Sequence, residues 1–177
     1  MVKTLGDDHP GLRLLTIGQR ASVGGQPERC FVVGKDLETD TLYVVHGGDH
    51  PKLLASEFVA RDVSWALPPG MAPGPGARLA VKVQVRHNSP AVECELILPD
   101  RSAPAGPPRT LASIGWTPPT DGGRGGICDR KGIELRRDEV KFVLRTPIRS
   151  VVPGQAVAIY DISDRVCLGG GIICDAV

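Results

Sequence analysis

Strict alternation of apolar and polar residues dominates the second half of the chain. Leu79, Val81, Val83 and Val85 alternate with Ala80, Lys82, Gln84 and Arg86, and Val92, Cys94, Leu96 and Leu98 repeat the pattern around Glu93 and Glu95. A period of two turns one face of a strand to a core and the other to water. Val140 to Leu144, Ala156 to Tyr160 and Val166 to Leu168 add three shorter runs of the same kind. Five or so antiparallel strands joined by Gly- and Pro-rich turns predict a small closed β-barrel over residues 77–177, because closure removes exposed strand edges.

The first half reads as a small α+β unit, residues 1–66. Thr16 is placed to cap a short helical turn through Ile17 to Ala21. Cys30-Phe31-Val32-Val33 and Thr41-Leu42-Tyr43-Val44-Val45 are rich in β-formers, and the polar Asp36 to Asp40 between them signals a hairpin. Asp49-His50-Pro51 opens a second short helix with Pro51 at its first position. Phe58 to Trp65 is a further candidate strand. Residues 67–76 hold so much Pro and Gly that neither helix nor central strand survives there, and they read as a linker. Residues 101–132, with 5 Pro and 7 Gly and no apolar period, read as a mobile insertion in the barrel.

Composition narrows the function classes. Aromatic residues are only 4% of the chain, too few for a wide base-stacking platform. Net charge is +1, so no global basic footprint exists, although Arg130 to Arg149 carry 7 basic and 3 acidic side chains. A basic surface is therefore expected in the C-terminal half, with a solvated strand face as the plain alternative. No apolar run approaches membrane-spanning length, and the N-terminus shows no targeting pattern. Five cysteines without a Cys-x-x-Cys argue for a reducing compartment, and Cys94 and Cys167 sit in apolar runs where a buried thiol is expected.

Candidate chemistry is sparse. Gly169-Gly170-Gly171 lacks the Lys-Ser/Thr of a phosphate loop and reads as backbone geometry. His46 and His50 lie four apart, but on a Gly-Gly turn, a poor scaffold for zinc, so no metal site is expected. The Gly122 to Gly126 cluster carries a single Arg. What remains is a set of polar groups suited to nucleic acid: Gln84, Arg86 and His87 at the end of the most regular strand, and Gln155 directly after Pro153-Gly154.

Three blocks change the weight of those residues. Thr16-Ile17-Gly18-Gln19-Arg20, Val152-Pro153-Gly154-Gln155 and Cys167 to Ile173 occur in an order that resembles the tRNA-specific 2-thiouridylase family. Phe31 to Asp36 and Asp49-His50-Pro51 are similar to its central domain, and Val83 to Cys94 to a strand of its C-terminal barrel. The resemblance implies a barrel like the second domain of elongation factor Tu, and tRNA contacts at Gln84, Val85, Arg86, His87 and Gln155. In that family an N-terminal ATP-pyrophosphatase domain adenylates the wobble uridine U34 with ATP and magnesium, and a persulfide donor supplies sulfur. The Ser-Gly-Gly-Val-Asp-Ser motif and the segments with the catalytic cysteines are not in this sequence. Cys30 stands where Trp is common, Gln84 and Val85 where Arg and an aromatic are usual, and Leu15 where Tyr is usual.

The expectation is therefore a tRNA-binding portion without catalytic residues or cofactor of its own. It would hold the anticodon stem-loop for a catalytic domain in cis or in trans, with no membrane partner. The Pro/Gly insertion and the Gln19 to Gly25 stretch look like the mitochondrial branch, so the expected location is the mitochondrial matrix in a eukaryote and the cytoplasm otherwise. Two rivals stand beside this reading: a barrel that docks to another protein without touching RNA, and a thiol or persulfide carrier using Cys128 or Cys174.

Overall fold

The computed structural model describes residues 2–5, 12–22, 26–36, 39–100, 135–149 and 151–176. The chain is mainly β, with a small four-stranded sheet and a closed six-stranded antiparallel barrel. The small sheet has the order β1-β4-β3-β2, from β1 (Val2–Leu5), β2 (Arg20–Ala21), β3 (Cys30–Asp36) and β4 (Thr41–His46). The barrel runs β10-β5-β8-β7-β6-β9, from β5 (Leu54–Trp65), β6 (Arg78–Gln84), β7 (Val92–Ile97), β8 (Glu139–Arg149), β9 (Ala156–Tyr160) and β10 (Cys167–Ala176).

Both faces of the small sheet are apolar. Cys30, Val32, Leu42 and Val44 pack with Leu12, Leu15 and Ala21 on one side. Val33, Tyr43 and Val45 pack with Leu53 and Phe31 on the other. A sheet coated on two sides cannot show clean alternation, which explains the continuous apolar run in β4. The expected helical turn over Ile17 to Ala21 does not form. Gly18 takes a left-handed φ of 81°, and its N–H donates to Val32 O at 2.7 Å. Val32 N–H donates back to Gln19 O at 2.9 Å, so the segment docks on β3 as a sheet edge. Lys35 Nζ satisfies the Leu12 and Leu15 carbonyls at 3.2 and 2.6 Å. The helix expected at Pro51 does form, as a single 3-10 turn over Pro51–Leu53, with His50 Nδ1 accepting from Lys52 N–H at 3.2 Å.

In the barrel, Phe58 and Phe142 stack at 4.7 Å between centroids and 11° between planes. Val81, Val83, Leu96, Ile159 and Ile173 close around them. Two expectations change here. The strand at Phe58 to Trp65 belongs to the barrel sheet, not to the first unit, because β5 pairs with β8 and β10. Residues 67–76 therefore connect two strands of one barrel. The sequence hid this because β5 joins partners that lie about 80–120 residues downstream in the chain, contacts that no local pattern reports. β10 carries the Gly-Gly-Gly run where it is squeezed between β5 and β9. A Cβ on Gly169 would lie 2.2 Å from Ser64 O, and one on Gly170 2.7 Å from Val157 O. The expected insertion at 101–132 lies outside the described residues.

Candidate functional site

Antiparallel closure sorts the barrel loops onto two ends. The β6–β7 turn and the β8–β9 turn share one end, the end at which β5 enters from the small sheet. They are also neighbours around the rim, because the end of β6 pairs with the start of β9 through Gln84↔Ala158. Gln84, Val85, Arg86, His87 and Gln155 consequently line one open cleft of about 520 Å³, floored by Ala156, Val157, Ala158, Gly169 and Gly170. The structure thus brings together the five residues singled out in the sequence. It adds small floor residues whose only signal is the absence of bulk.

Their roles differ. Gln84 Nε2 donates to His87 O at 3.1 Å and Ser89 O at 2.7 Å, so this amide braces the turn. Ser89 Oγ donates to Arg86 O at 2.9 Å and closes the turn from the other side. Val85 is 5% exposed and supplies apolar wall. Arg86 and His87 are exposed. Across the cleft, Gly154 takes φ 91° and its N–H donates to Ile173 O at 2.7 Å. Ile173 N–H donates to Gln155 O at 2.8 Å, which fixes the backbone from which the Gln155 side chain leaves. Gln155 Oε1 is shut off from solvent and has no hydrogen-bond partner. A buried acceptor left unpaired costs about 1–3 kcal/mol, so such an atom is rarely left without purpose.

Charge elsewhere is largely spent. Lys141 Nζ meets Glu57 at 2.7 Å, Arg145 meets Glu93 at 3.1 Å, and Arg149 stacks 4.5 Å over the Phe31 ring. Of the described part of the basic run expected in the C-terminal half, Lys141 and Arg145 are ion-paired while Arg149 keeps its charge over a ring; Arg130 and Lys131 lie outside the described residues.

Among the described residues no cysteine lines the cleft. Burial pushes the Cys94 thiol up to about 12. Cys174 Sγ sits 3.4 Å from Val59 O. Cys30 Sγ lies 3.6 Å from His46 Nδ1, buried in the small sheet. Cys167 is exposed, contrary to the expectation of a buried thiol, because β10 begins there at the rim. Cys128 and His9 fall outside the described residues. Desolvation, with positive charge from Lys52 and the N-terminus, lowers the His50 pKa and favours the neutral ring that accepts from Lys52 N–H. Among the described residues no cluster of three metal-ligating side chains occurs, and no helix is long and apolar enough to cross a membrane.

What can this cleft do? It offers an exposed guanidinium and imidazole beside an apolar wall, groups that can bind an anion or hold a proton, with the Gln155 carbonyl acceptor buried next to them. The family model described as tRNA methyl transferase PRC-barrel domain matches residues 2–46, and the aminomethyltransferase beta-barrel domain model matches residues 131–173. The tRNA-specific 2-thiouridylase MnmA of Chlamydia felis is 34% identical over 167 residues, 93% of this chain and 34% of that protein. The chain is a relative of the tRNA-specific 2-thiouridylases. The same enzyme of Nitrosomonas eutropha is 33% identical over 176 residues, 96% of this chain and 37% of its own length. That of Burkholderia pseudomallei is 35% identical over 177 residues, 97% and 36% respectively. The chain therefore spans about a third of the length of the 2-thiouridylases it matches.

Proposed function

We propose that this chain is the tRNA-binding portion of a wobble-uridine 2-thiouridylase. It holds the anticodon stem-loop while a catalytic ATP-pyrophosphatase domain, in cis or in trans, activates U34 with ATP and magnesium and receives sulfur from a persulfide. The observation that carries the reading is the cleft where Arg86, His87 and the unpartnered Gln155 Oε1 converge. RNA supplies what each of these groups lacks. Phosphate oxygens suit the Arg86 fork, and a rotation of the Gln155 side chain that brings the buried Oε1 to the surface would pair it with a 2′-hydroxyl or a base N–H. Gln84 and Val85 act behind them, bracing the turn and lining its wall. Nothing in the cleft cuts or forms a covalent bond, so the chain alone is expected to be inactive in thiolation.

The test is tRNA binding by fluorescence anisotropy with an unmodified transcript. The wild-type chain should bind, and Arg86→Gln should weaken binding and flatten its salt dependence by about one phosphate, roughly 0.7–0.9 in the log–log slope. Binding that is absent in the wild type, or indifferent to both Arg86→Gln and Gln155→Ala, refutes the proposal and leaves the barrel as a protein-docking module.

A further inference from the structure

A second concave site lies on the small sheet, away from the barrel cleft. It has a volume of about 440 Å³ and is lined by Arg20, Ser22, Gln26, Glu28, Arg29 and Cys30, among others. Strand register determines how its cations are set. Arg20 is the cross-strand partner of Phe31, and Arg29 stands two positions before Phe31, just ahead of β3, with its carbonyl accepting from Gly47 N–H at 3.0 Å. Residues so related share a sheet face, and Cys30 and Ala21, which alternate with them, line the same hollow at the β2–β3 edge. A diagonal pair of this kind holds its Cβ atoms about 7–8 Å apart, comparable with the spacing of successive phosphates on one RNA strand. Both arginines are exposed, and among the described residues neither forms an ion pair with an acid. Glu28 is the one carboxylate in the cleft lining.

A third guanidinium reaches the same face from the barrel. Arg149, at the end of β8, lies 4.5 Å over the Phe31 ring. Gly48 keeps that approach open, since a Cβ there would stand 3.0 Å from Arg149 Nη1. Arg149 sits on the same barrel end as the β6–β7 and β8–β9 turns. Arg149 thus brings a guanidinium from that barrel end to the small sheet.

We propose that Arg20 and Arg29, with Arg149 beside them, form a second seat for RNA backbone phosphates. This seat extends the barrel cleft into one binding surface across both sheets. It rests on the RNA-binding reading above and assigns the Arg of the Thr-Ile-Gly-Gln-Arg block a contact of its own: Gly18 and Gln19 shape the turn, and Arg20 is left pointing outward for use.

The experiment compares the full chain with the Arg20→Gln/Arg29→Gln and Arg20→Lys/Arg29→Lys double variants. Binding of an unmodified tRNA transcript is measured between about 50 and 200 mM salt, with melting temperature as the folding control. Loss of two phosphate contacts should lower the log–log salt slope by about 1.4–1.8 and weaken binding at 100 mM on the order of tenfold or more. The Lys pair keeps the charge and should keep the slope. An unchanged slope in the Gln pair, while the wild type binds and Arg86→Gln weakens it, overturns this second seat and leaves the barrel cleft standing. A slope lost equally in both pairs means that the fold, not the charge, was disturbed, and also overturns it. No wild-type binding at all removes the RNA reading itself and this seat with it.

Discussion

Replacing Gln155 by Met should move stability and binding in opposite directions. The two side chains are close in length and volume, so the change removes the amide without opening a cavity. In the free protein Oε1 is buried without a partner, a defect worth about 1–3 kcal/mol. The backbone hydrogen bonds of the turn, Gln155 N–H to Val152 O at 3.2 Å and Ile173 N–H to Gln155 O at 2.8 Å, are untouched. Gln155→Met should therefore leave the free chain as stable as before or raise it by up to about 2 kcal/mol. For a domain of this size that is a rise of roughly 4–8 °C in Tm. Binding loses one acceptor, about 0.5–1.5 kcal/mol for a neutral hydrogen bond, so tRNA affinity should fall roughly threefold to tenfold. Scanning calorimetry and anisotropy on the same preparation decide the matter. A lower Tm with unchanged affinity would refute the reasoning, because it would mean that Oε1 has its partner inside the folded chain.

The remaining predictions concern the barrel that carries the cleft. Phe142→Ala removes a fully buried ring stacked on Phe58 and should cost about 3–5 kcal/mol, read as a lower urea midpoint at unchanged m-value. Gly169→Ala forces a Cβ against Ser64 O at 2.2 Å in a backbone held at φ 152°; the β5–β10 edge must shift, and a drop in Tm with loss of tRNA binding should be seen together. Cys94, with its thiol raised from 9.0 to about 12 by burial, should resist a thiol reagent at pH 8 until denaturant is added. Because its folded pKa lies above the unfolded one, its contribution to stability is present below about pH 9 and fades as pH rises toward 12, a decline that Cys94→Ala should lack. Asp161 behaves in the opposite sense. Hydrogen bonds from Ser163 and from the Val166 and Arg165 amides lower it from 3.8 to about 2, so its support of the β9–β10 turn should persist above pH 4 and be lost as pH falls toward 2, and Asp161→Asn should flatten that acid limb.

The barrel was legible because its strands are wetted on one side. Val81, Val83, Cys94 and Leu96 are buried and alternate with Lys82, Glu93 and Glu95, so a period of two survives in the sequence. That β5 joins the barrel and not the small sheet is not legible in its own residues. Its partners Arg149 and Gly169 lie far along the chain, and a strand's own residues do not encode which distant edge it joins. The Ile17 to Ala21 turn was misread because a Thr cap is a local signal, whereas the outcome was set by Gly18 bonding to Val32 across the sheet. The cleft residues could be named from block order, yet their division of labour could not. That Gln84 is occupied by His87 and Ser89, and Gln155 Oε1 by nothing, is a matter of distances that no residue identity contains.

The departures from the family pattern in the barrel and the exposed arginines on the small sheet bear on one another. Where the family resemblance leads one to expect Arg and an aromatic, this chain has Gln84, which holds its own turn, and Val85, which is buried. The barrel cleft is left with one guanidinium, Arg86, and a single cation at an exposed site is screened within about 8–10 Å at physiological salt. One such contact gives little salt-dependent affinity. In the proposed second seat, Arg20, Arg29 and Arg149 would add three more charges. If both seats are filled by one RNA, the slope of binding with salt should approach that of four contacts, and Arg86→Gln alone should remove about a quarter of it. A slope near one in the wild type would confine the RNA to the barrel.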